Sequence, residues 1–451
     1  MSPHLDRIFK AYDVRGVVPA ELDVEVARRI GAAFASWSGA ARVLIGRDCR
    51  LSSPELAAAL AEGATSVGTD VTDIGLASTD LLYFASGSLD LPGIMLTASH
   101  NPPDYNGMKF CLAGAKPVGQ DTGLADIRAL AEAPPPATAA TPGTVERRDL
   151  LEAYVEHVLS FVDVARMRPL KVVIDTANGM GGLVAPAVLA RLPVTLTHLY
   201  PELDGTFPNH PADPIDPANQ RDLKAAVRAE GADIGLAFDG DADRVFLVDE
   251  GAEGVSGSLV TALVAKALLL RSPGAAVVYN LICSWTVPEV IREEGGRPVR
   301  TRVGHSFIKQ VMAETDAVFG GEHSGHYYFR DNYFADSGLI AAVVVLGELS
   351  SAEVPLSELL VPFRRYVASG EINSVVHDQD ERIEAVAAHF SDGAQDRTDG
   401  LTVEFPDWWA NVRASNTEPL LRLNVEARTQ ELLDERTAEV LSLIRREGDT
   451  T

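Results

Sequence analysis

The sequence is short of basic side chains. Its 451 residues include 39 Lys and Arg against 64 Asp and Glu, which gives a formal net charge of −25 at pH 7. Nucleic acids and anionic membranes are bound through basic surfaces, so this balance argues against both as partners. An anionic small molecule would have to be held by a local cluster of Arg or Lys.

Cysteine and long apolar runs are also scarce. Cys49, Cys111 and Cys283 are odd in number and widely spaced, which argues against a zinc site or a disulfide framework and fits a reducing compartment. The longest apolar runs, residues 259–270 and 339–346, are shorter than the ~20 residues that span a bilayer. The first residues show no basic region followed by an apolar core. We therefore expect a cytoplasmic protein without a membrane segment.

What the sequence does contain is a recurring order of elements. Three times, a predicted strand is followed by a helix with an early proline, a further strand and a polar motif at the carboxyl end of a strand. The strands that precede the three motifs are residues 93–96, 234–238 and 317–319. This pattern predicts three related α/β units that each contribute one loop. After about residue 362, Val/Ile runs and a C-terminal helix predict a smaller α+β domain.

The first of the polar motifs is centred on Ser99. The apolar residues 93–96 predict a buried strand, and the Asn-Pro and Asn-Gly that follow predict turns, so Ser99 is expected where a strand ends in a loop. Parallel α/β sheets place their chemistry there. His100 and Lys109 are the nearby groups that could activate the hydroxyl, and His100 is the weaker because successive side chains of an extended chain point to opposite faces. Taken alone, such a motif is more often only a polar turn.

The second motif gives the most specific chemical signal. Asp239, Asp241 and Asp243 stand at alternate positions directly after the predicted strand 234–238. Carboxylates so close together repel one another unless a hard cation compensates, so we predict a Mg²⁺ site. The alternatives are an EF-hand loop and a solvated acidic turn. Arg244 stands where an EF-hand needs Gly, and the flanking segments predict strands rather than helices.

Two further polar motifs predict contacts to a phosphorylated sugar. Residues 322–326, Glu-His-Ser-Gly-His, mix hydrogen-bond donors and acceptors that suit sugar hydroxyls. Residues 413–417, Arg-Ala-Ser-Asn-Thr, offer a guanidinium, two hydroxyls, an amide and backbone N–H groups that can cradle a phosphate. Standing alone, each motif is about as well explained by ordinary turn chemistry.

Together and in this order, the four motifs resemble the signature loops of the α-D-phosphohexomutase family, and the resemblance covers essentially the whole chain. It implies a Mg²⁺-dependent phosphohexomutase of the isomerase class that interconverts hexose 6-phosphates and 1-phosphates through a phosphoserine and a hexose 1,6-bisphosphate. Asn416 stands where the glucosamine-phosphate branch usually has Gly, which favours the branch acting on mannose phosphates, with glucose phosphates as further substrates. A phosphoglucomutase, a phosphoglucosamine mutase and, less favoured, a sugar phosphatase are the alternatives. Hexose phosphates are the expected partners, bound to a monomer or homodimer.

The resemblance also implies a role for individual residues. The catalytic group comprises the phosphorylated Ser99 with His100, Lys109, Arg15, Arg244 and His326, among which Lys109 and His326 are the acid/base candidates. The substrate-binding group comprises Tyr12, Gly304, His305, Glu322, Ser324, Arg413, Ser415, Asn416 and Thr417, and the metal ligands are Asp239, Asp241, Asp243 and the Ser99 phosphate. One departure is that residues 279–284 contain no Lys, which some members of the family carry there.

The family fold agrees with the internal repeat. It implies an α/β protein in which three related α/β domains with mixed sheets and a smaller α+β C-terminal domain surround a central cleft. The predicted domains are residues 1–145 with the phosphoserine loop, 146–253 with the metal loop, 254–363 with the sugar loop and 364–451 with the phosphate loop.

Overall fold

The computed structural model describes residues 5–134, 138–415 and 420–445. Its first sheet is mixed, with the strand order β1-β5-β4-β2-β3-β7 and β6 paired to β5. The strands are β1 (Val14–Val17), β2 (Arg42–Arg47), β3 (Asp70–Leu76), β4 (Gly93–Leu96), β5 (Tyr105–Leu112), β6 (Lys116–Pro117) and β7 (Val145–Arg147). The accompanying helices are α1 (Val24–Ser38), α2 (Ser53–Ser66), α3 (Thr79–Leu89) and α4 (Leu124–Glu132).

Helices cover both faces of this sheet because its central strands contain continuous buried runs without charged residues, 43–46 in β2 and 93–96 in β4. In β2, Val43 and Ile45 pack in one core with α1, α2 and α4, whereas Leu44 packs in another core with α3. This is the alternation expected of successive side chains in a strand. The parallel part of this sheet is thereby buried on both faces, with loops leaving the carboxyl ends of its strands.

The second and third sheets have five strands each. The second contains β8 (Leu170–Asp175), β9 (Val194–Leu199), β10 (Ile234–Phe238), β11 (Val245–Asp249) and β12 (Gly254–Val255), with helices α5 (Leu151–Leu159), α6 (Gly181–Leu189) and α7 (Arg221–Glu230). The third contains β13 (Ala276–Asn280), β14 (Arg297–Thr301), β15 (Phe319–Gly321), β16 (Tyr327–Phe329) and β17 (Ala335–Asp336), with helices α8 (Gly257–Arg271), α9 (Thr286–Glu293), α10 (His305–Thr315), α11 (Gly338–Ala352) and α12 (Leu356–Leu359).

The three sheets share one plan, which confirms the predicted repeat. Their orders are β3-β2-β4-β5-β1, β9-β8-β10-β11-β12 and β14-β13-β15-β16-β17. In each, the first two neighbouring pairs are parallel and the last two are antiparallel. Each polar motif occupies the same place, the loop from the third strand of this order to the fourth. The sequence repeat therefore places three chemically different loops at equivalent sheet positions.

The C-terminal sheet is fully antiparallel, in the order β18-β22-β21-β20-β19. Its strands are β18 (Val367–Val375), β19 (Ala394–Asp396), β20 (Leu401–Glu404), β21 (Trp408–Ala414) and β22 (Leu420–Ala427), with helices α13 (Gln379–His389) and α14 (Gln430–Ile444). The predicted α+β character is thus confirmed. The first two residues of the predicted motif 413–417, Arg413 and Ala414, belong to β21 and not to a loop.

The buried apolar side chains fall into separate clusters. The largest runs from Leu44 to Phe363 and includes side chains of all three α/β domains, whereas the C-terminal domain has its own cluster between Val376 and Ile444. Helix α11 lies inside the largest cluster, and its residues 339–346 are all buried, so this apolar run is a core helix. No single helix of the described ranges is long and apolar enough to cross a membrane, although a pair bent by 94°, Gly338–Ala352 with Leu356–Phe363, meets the requirement of length and composition.

Two of the predicted domain boundaries fall inside sheets. The boundary after residue 145 divides β7, which pairs with β3 of the first sheet. The boundary after residue 253 separates β12 from β11, its partner in the second sheet. Both short strands lie at sheet edges. Because edge strands have exposed side chains, the sequence shows little of the apolar pattern that would mark a strand there.

Candidate active site

Loops from the three α/β sheets meet at Ser99. Its hydroxyl donates a 2.8 Å hydrogen bond to Oδ2 of Asp239, which follows β10 in the second sheet. Arg244 at the end of the same loop forms a backbone bridge with His326, which precedes β16 in the third sheet. Three motifs separated by up to 227 positions in the chain are therefore in contact through these residues.

The backbone at Ser99 adopts a left-handed conformation, with φ of 49°. This conformation is uncommon for a residue other than glycine and turns the chain sharply. As a result, Nδ1 of His100 lies 3.3 Å from the Ser99 hydroxyl. The expectation that His100 would point to the opposite face is therefore wrong, because it assumed extended backbone at this position.

His100 is held as a neutral imidazole. Burial lowers its pKa well below the ordinary value, and the positive charges of Arg244 and Arg15 lower it further. Nη2 of Arg244 donates to Nδ1 at 2.6 Å, so this nitrogen acts as an acceptor. The contacts at this nitrogen come from Arg244 and Ser99, whereas the histidine of a Ser-His-Asp triad is oriented there by a carboxylate.

The three aspartates form a compact, buried acidic group. One ligand oxygen from each of Asp239, Asp241 and Asp243 lies within 4.8 Å of the others, and all three residues are buried. Among the described residues, Oδ1 of Asp241 and Oδ1 of Asp243 have no hydrogen-bond partner. Buried acceptors without partners are costly unless something else satisfies them. The donor set, all carboxylate oxygen, fits a hard divalent cation, and the flanking strands β10 and β11 rule out an EF-hand.

Lys109 from β5 pairs with two of these carboxylates. Its Nζ lies 2.8 Å from Oδ2 of Asp241 and 2.5 Å from Oδ2 of Asp243. Burial alone would lower the pKa of Lys109, but the two carboxylates raise it well above the ordinary value. Burial likewise works to raise the pKa of Asp241, yet the ammonium lowers it on balance. Lys109 is therefore a cation in this arrangement.

Asp239 has a raised pKa. Burial raises its pKa to about 7, and Asp243 and Asp241 add to this, although the guanidinium of Arg244 opposes the shift. Nε of Arg244 donates to Oδ2 of Asp239 at 2.8 Å, the same oxygen that receives the Ser99 hydroxyl. Negative charge is therefore concentrated beside the Ser99 hydroxyl, and the guanidinium of Arg244 compensates the charge of Asp239.

Tyr12 and Arg15 bring the start of the chain to the same region. Nη1 of Arg15 donates to Oδ1 of Asn101 at 2.5 Å, so the guanidinium lies against the Ser99 loop. A Cβ at Gly304, where φ is 131°, would lie 2.9 Å from the hydroxyl of Tyr12, which shows how closely the first and third domains approach. His305 follows as the first residue of α10.

Glu322 and Ser324 occupy the loop between β15 and β16. The Glu322 carboxylate is buried and accepts hydrogen bonds from Tyr328 at 2.5 Å, Asn280 at 3.0 Å and Ser324 at 3.5 Å. Nδ1 of His326 lies 2.9 Å from Oδ2 of Asp336. Burial lowers the pKa of His326, but Asp243 and Asp336 raise it above the ordinary value on balance.

Arg413 stands apart from this group. Its Nη2 lies 2.6 Å from Oε2 of Glu371 in the same domain. In the described part of the chain, the three loops meet one another, whereas the ion pair of Arg413 is made within the C-terminal domain. Ser415 is the last described residue of this motif, and Asn416 and Thr417 lie outside the described residues.

Several residues of this region were not predicted from the sequence. Thr79 donates from Oγ1 to Oδ2 of Asp241 at 2.6 Å, Asp336 holds His326, and Lys309 lies 2.7 Å from Oδ1 of Asp336. Asp48 and Arg50 follow β2 and lie buried beside the Ser99 loop. The position of Asp48 and Arg50 in the sequence could have indicated them, because a charged pair directly after a parallel strand lies at the carboxyl edge of the sheet.

Four family models match the chain in sequence order. They are described as the alpha/beta/alpha domains I, II and III and the C-terminal domain of phosphoglucomutase/phosphomannomutase, matching residues 6–135, 152–254, 256–366 and 371–443. A phosphomannomutase of Salmonella montevideo is 43% identical over 448 residues, which is 97% of this chain and 98% of that protein.

Solved structures have the same architecture. A phosphoglucomutase/phosphomannomutase family protein of Burkholderia thailandensis superposes with a TM-score of 0.90 at 35% identity, covering 98% of each chain. An N-acetylphosphoglucosamine mutase of Aspergillus fumigatus, solved in complex with GlcNAc-6P and magnesium, has a TM-score of 0.65 at 15% identity and covers 97% of this chain and 95% of that chain. The second likeness is one of fold.

Proposed function

The chain belongs to the α-D-phosphohexomutase family, an isomerase-class family of intramolecular phosphotransferases, and we propose that it is a phosphomannomutase that interconverts mannose 6-phosphate and mannose 1-phosphate. The observation that carries this proposal is the contact between the Ser99 hydroxyl and Asp239 inside a group of three buried carboxylates. A serine so placed can carry a phosphoryl group whose charge a cation would balance.

Asp239, Asp241 and Asp243 would hold Mg²⁺ together with the phosphate on Ser99. The two unpartnered oxygens of Asp241 and Asp243 support this assignment, because a cation would satisfy both. When bound, Mg²⁺ offsets the charge of the phosphoserine and makes its phosphorus more open to attack. The ammonium of Lys109 lies beside Asp241 and Asp243 and compensates part of their negative charge.

Ser99 is the group that gives and takes the phosphoryl. A free hydroxyl of the bound hexose phosphate attacks the phosphorus, the bond from phosphorus to Ser99 Oγ breaks and a hexose 1,6-bisphosphate is formed. In the second half of the cycle, the other phosphate returns to Ser99 and leaves the product. Arg15 and Arg244, which lie against the Ser99 loop, would neutralise the equatorial phosphoryl oxygens.

Proton transfer falls to Lys109 and His326. Two carboxylates hold Lys109 in its cationic form and raise its pKa well above the ordinary value, so it would assist the oxygen that leaves as a charged hydrogen-bond donor that keeps its proton until charge develops there. Nδ1 of His326 donates to Asp336, which leaves Nε2 as the nitrogen that can accept a proton from the attacking hydroxyl. His100 would contribute a neutral acceptor beside Arg244 rather than a proton.

The remaining site residues would bind the sugar phosphate. Glu322 and Ser324 are assigned to hydroxyls that mannose and glucose share, so we propose that glucose phosphates also react. The phosphate that is not reacting would be bound by Arg413 together with Ser415, Asn416 and Thr417. The wall of the site would be formed by Tyr12, Gly304 and His305. Mg²⁺ and a hexose 1,6-bisphosphate are the proposed cofactor and intermediate, in a cytoplasmic monomer or homodimer.

A sugar phosphatase would use the same serine and metal but would pass the phosphoryl to water. A coupled assay with mannose 1-phosphate, glucose 1-phosphate and glucosamine 1-phosphate separates the candidates when release of inorganic phosphate is followed in parallel. We expect isomerisation of the mannose and glucose phosphates, activation by a hexose 1,6-bisphosphate and little free phosphate. Turnover of glucosamine phosphate alone, or phosphate release in place of isomerisation, would refute the assignment.

A further inference from the structure

We propose that Arg50 is the positioning residue of the phosphoryl-transfer loop, and that it acts by fixing the backbone of residues 99–105. This inference rests on the proposed role of Ser99. Arg50 follows β2 and is one of the largest fully buried side chains of the protein, with 1% of its surface exposed. A guanidinium cannot lose its charge, so its burial has to be compensated by hydrogen bonds.

The compensation comes almost entirely from one loop. Nη2 donates to the carbonyl oxygens of Ser99 at 2.9 Å and Asn101 at 2.7 Å. Nη1 donates to those of Pro102 at 2.6 Å and Tyr105 at 2.9 Å. The planar fork of Arg thereby ties four carbonyl groups of the loop to one rigid group, an arrangement that a single ammonium cannot reproduce.

Arg50 is itself held on two sides. Oδ2 of Asp48 lies 3.2 Å from its Nε, while Oδ1 of Asp48 accepts from the Arg50 N–H at 3.0 Å and from the Ser53 hydroxyl at 2.5 Å. The ring of Phe207, from the second domain, lies 5.1 Å from the guanidinium carbon. The guanidinium is thus fixed between the first and second domains, which are the two that supply Ser99 and the three aspartates.

This arrangement explains how Ser99 keeps its left-handed backbone, with φ of 49°. Such a conformation costs free energy in a residue with a side chain and persists when the surroundings enforce it. The hydrogen bond from Arg50 to the Ser99 carbonyl helps to enforce it. Arg50 does not touch the reacting atoms, so its effect on the reaction would be exerted through the position of Ser99 Oγ.

The test is Arg50→Lys in the full-length enzyme, with Arg42→Lys as the matched control. Arg42 is the first residue of β2, the strand that Arg50 follows, and it pairs with Asp70 and Glu146 at the other end of that strand. Because a displacement of about 1 Å costs on the order of 10²-fold in rate, we expect kcat to fall by at least about tenfold in Arg50→Lys with little change in KM, and the control to keep its activity. Hydrogen exchange should quicken in residues 97–105 of Arg50→Lys specifically.

A second readout distinguishes positioning from loss of fold. The variants are phosphorylated with a hexose 1,6-bisphosphate, and the phosphoserine is followed with and without mannose 6-phosphate. In Arg50→Lys, we expect the rate of phosphoryl transfer to mannose 6-phosphate to fall by a large factor. The rate at which water hydrolyses the phosphoserine should change by a smaller factor. Asp48→Asn should act in the same direction, and the two changes combined should be less than additive.

The outcomes separate this inference from the proposed function. If wild-type enzyme carries no phosphoserine and isomerises no hexose phosphate, the proposed function fails. If wild type is active and Arg50→Lys keeps its kcat and its exchange pattern, the role of Arg50 is overturned while the function stands. A uniform fall in thermal stability and activity, with exchange accelerated throughout the first domain, would also overturn it.

Discussion

Gly240 lies against Ser99 so closely that a Cβ at position 240 would fall 2.3 Å from the carbonyl oxygen of Ser99. Real Cβ atoms do not come so near to backbone oxygen, so one of the two loops would have to move. Because the two loops carry the serine and the aspartates, Gly240→Ala should reduce kcat by about 10²-fold. Steady-state kinetics with mannose 1-phosphate measures this.

Gly254→Ala is the control for this change. It lies in the same domain, but its added Cβ would meet only the ends of Gln220 and Lys224, at 3.6 Å and 3.8 Å. We expect unchanged kinetics and a stability within about 1 kcal/mol of wild type, the usual cost of such a surface exchange. Full activity in Gly240→Ala would show that the two loops tolerate separation.

Removal of divalent metal should abolish turnover and lower the melting temperature. Three buried carboxylates, two of them with an unpartnered oxygen, gain more from a cation than Lys109 alone supplies. Exhaustive chelation followed by titration of Mg²⁺ should therefore restore activity and raise the melting temperature together. In Asp241→Asn, the Mg²⁺-dependent rise should be much smaller. Full activity after chelation would refute the metal assignment.

Arg413→Ala should weaken the hold on the substrate's second phosphate. A charged, buried hydrogen bond of this kind contributes about 1.5–3 kcal/mol, so we expect KM to rise by at least tenfold. The 1,6-bisphosphate should also leave the enzyme more often, which is measured as free bisphosphate per turnover. Arg397→Ala is the control, because Arg397 forms an exposed ion pair with Glu384 in the same domain, and exposed pairs contribute little. Wild-type KM without leakage in Arg413→Ala would contradict the assignment.

Asp80 links the three α/β domains and should make stability depend on pH. Its buried carboxylate accepts hydrogen bonds from Ser78, from Tyr154 and, at 2.6 Å, from Ser337. Burial raises its pKa from 3.8 to about 6, although these hydrogen bonds work to lower it. Folding therefore binds a proton, so its contribution to stability is full below pH 3.8 and is lost as the pH rises through about 6.

Asp80→Asn removes this titration. The difference in free energy of unfolding between variant and wild type should change by on the order of 3 kcal/mol between pH 4 and pH 7, in the direction that favours the variant at the higher pH. Urea unfolding at a series of pH values measures it. A difference that stayed constant across this range would show that Asp80 does not titrate as its burial indicates.

The parts of the site that depend on local sequence could be predicted. Alternating aspartates after an apolar strand, and a serine after another, carry their signal within about ten residues, because strand ends and turns are set by neighbours in the chain. The repeated order of elements also predicted three sheets of one plan. Those sheets place the Ser99 loop and the Asp239 loop at equivalent edges, whereas the contact between the two loops depends on how the domains pack.

The parts that depend on distant contacts could not be predicted. The carbonyl groups that bind Arg50 lie 49 to 55 residues further along the chain, and no local pattern marks them. The left-handed backbone at Ser99 is imposed by such contacts, which is why the position of His100 was predicted wrongly. Strand β21 was missed because residues 408–413 are all buried, so the polar and apolar alternation of a half-exposed strand is absent.

The division of the buried side chains into separate clusters has a thermodynamic consequence. The largest apolar cluster includes side chains of the first three domains, whereas the C-terminal domain has a cluster of its own. The contacts between the two parts include polar ones, such as Glu426 with the Trp285 N–H at 2.9 Å and Asp399 with the Val303 N–H at 3.1 Å. Polar contacts can be exchanged for water at little net cost. Because its apolar cluster is separate, the C-terminal domain should unfold as a unit of its own, and calorimetry of the intact chain should resolve two melting transitions instead of one.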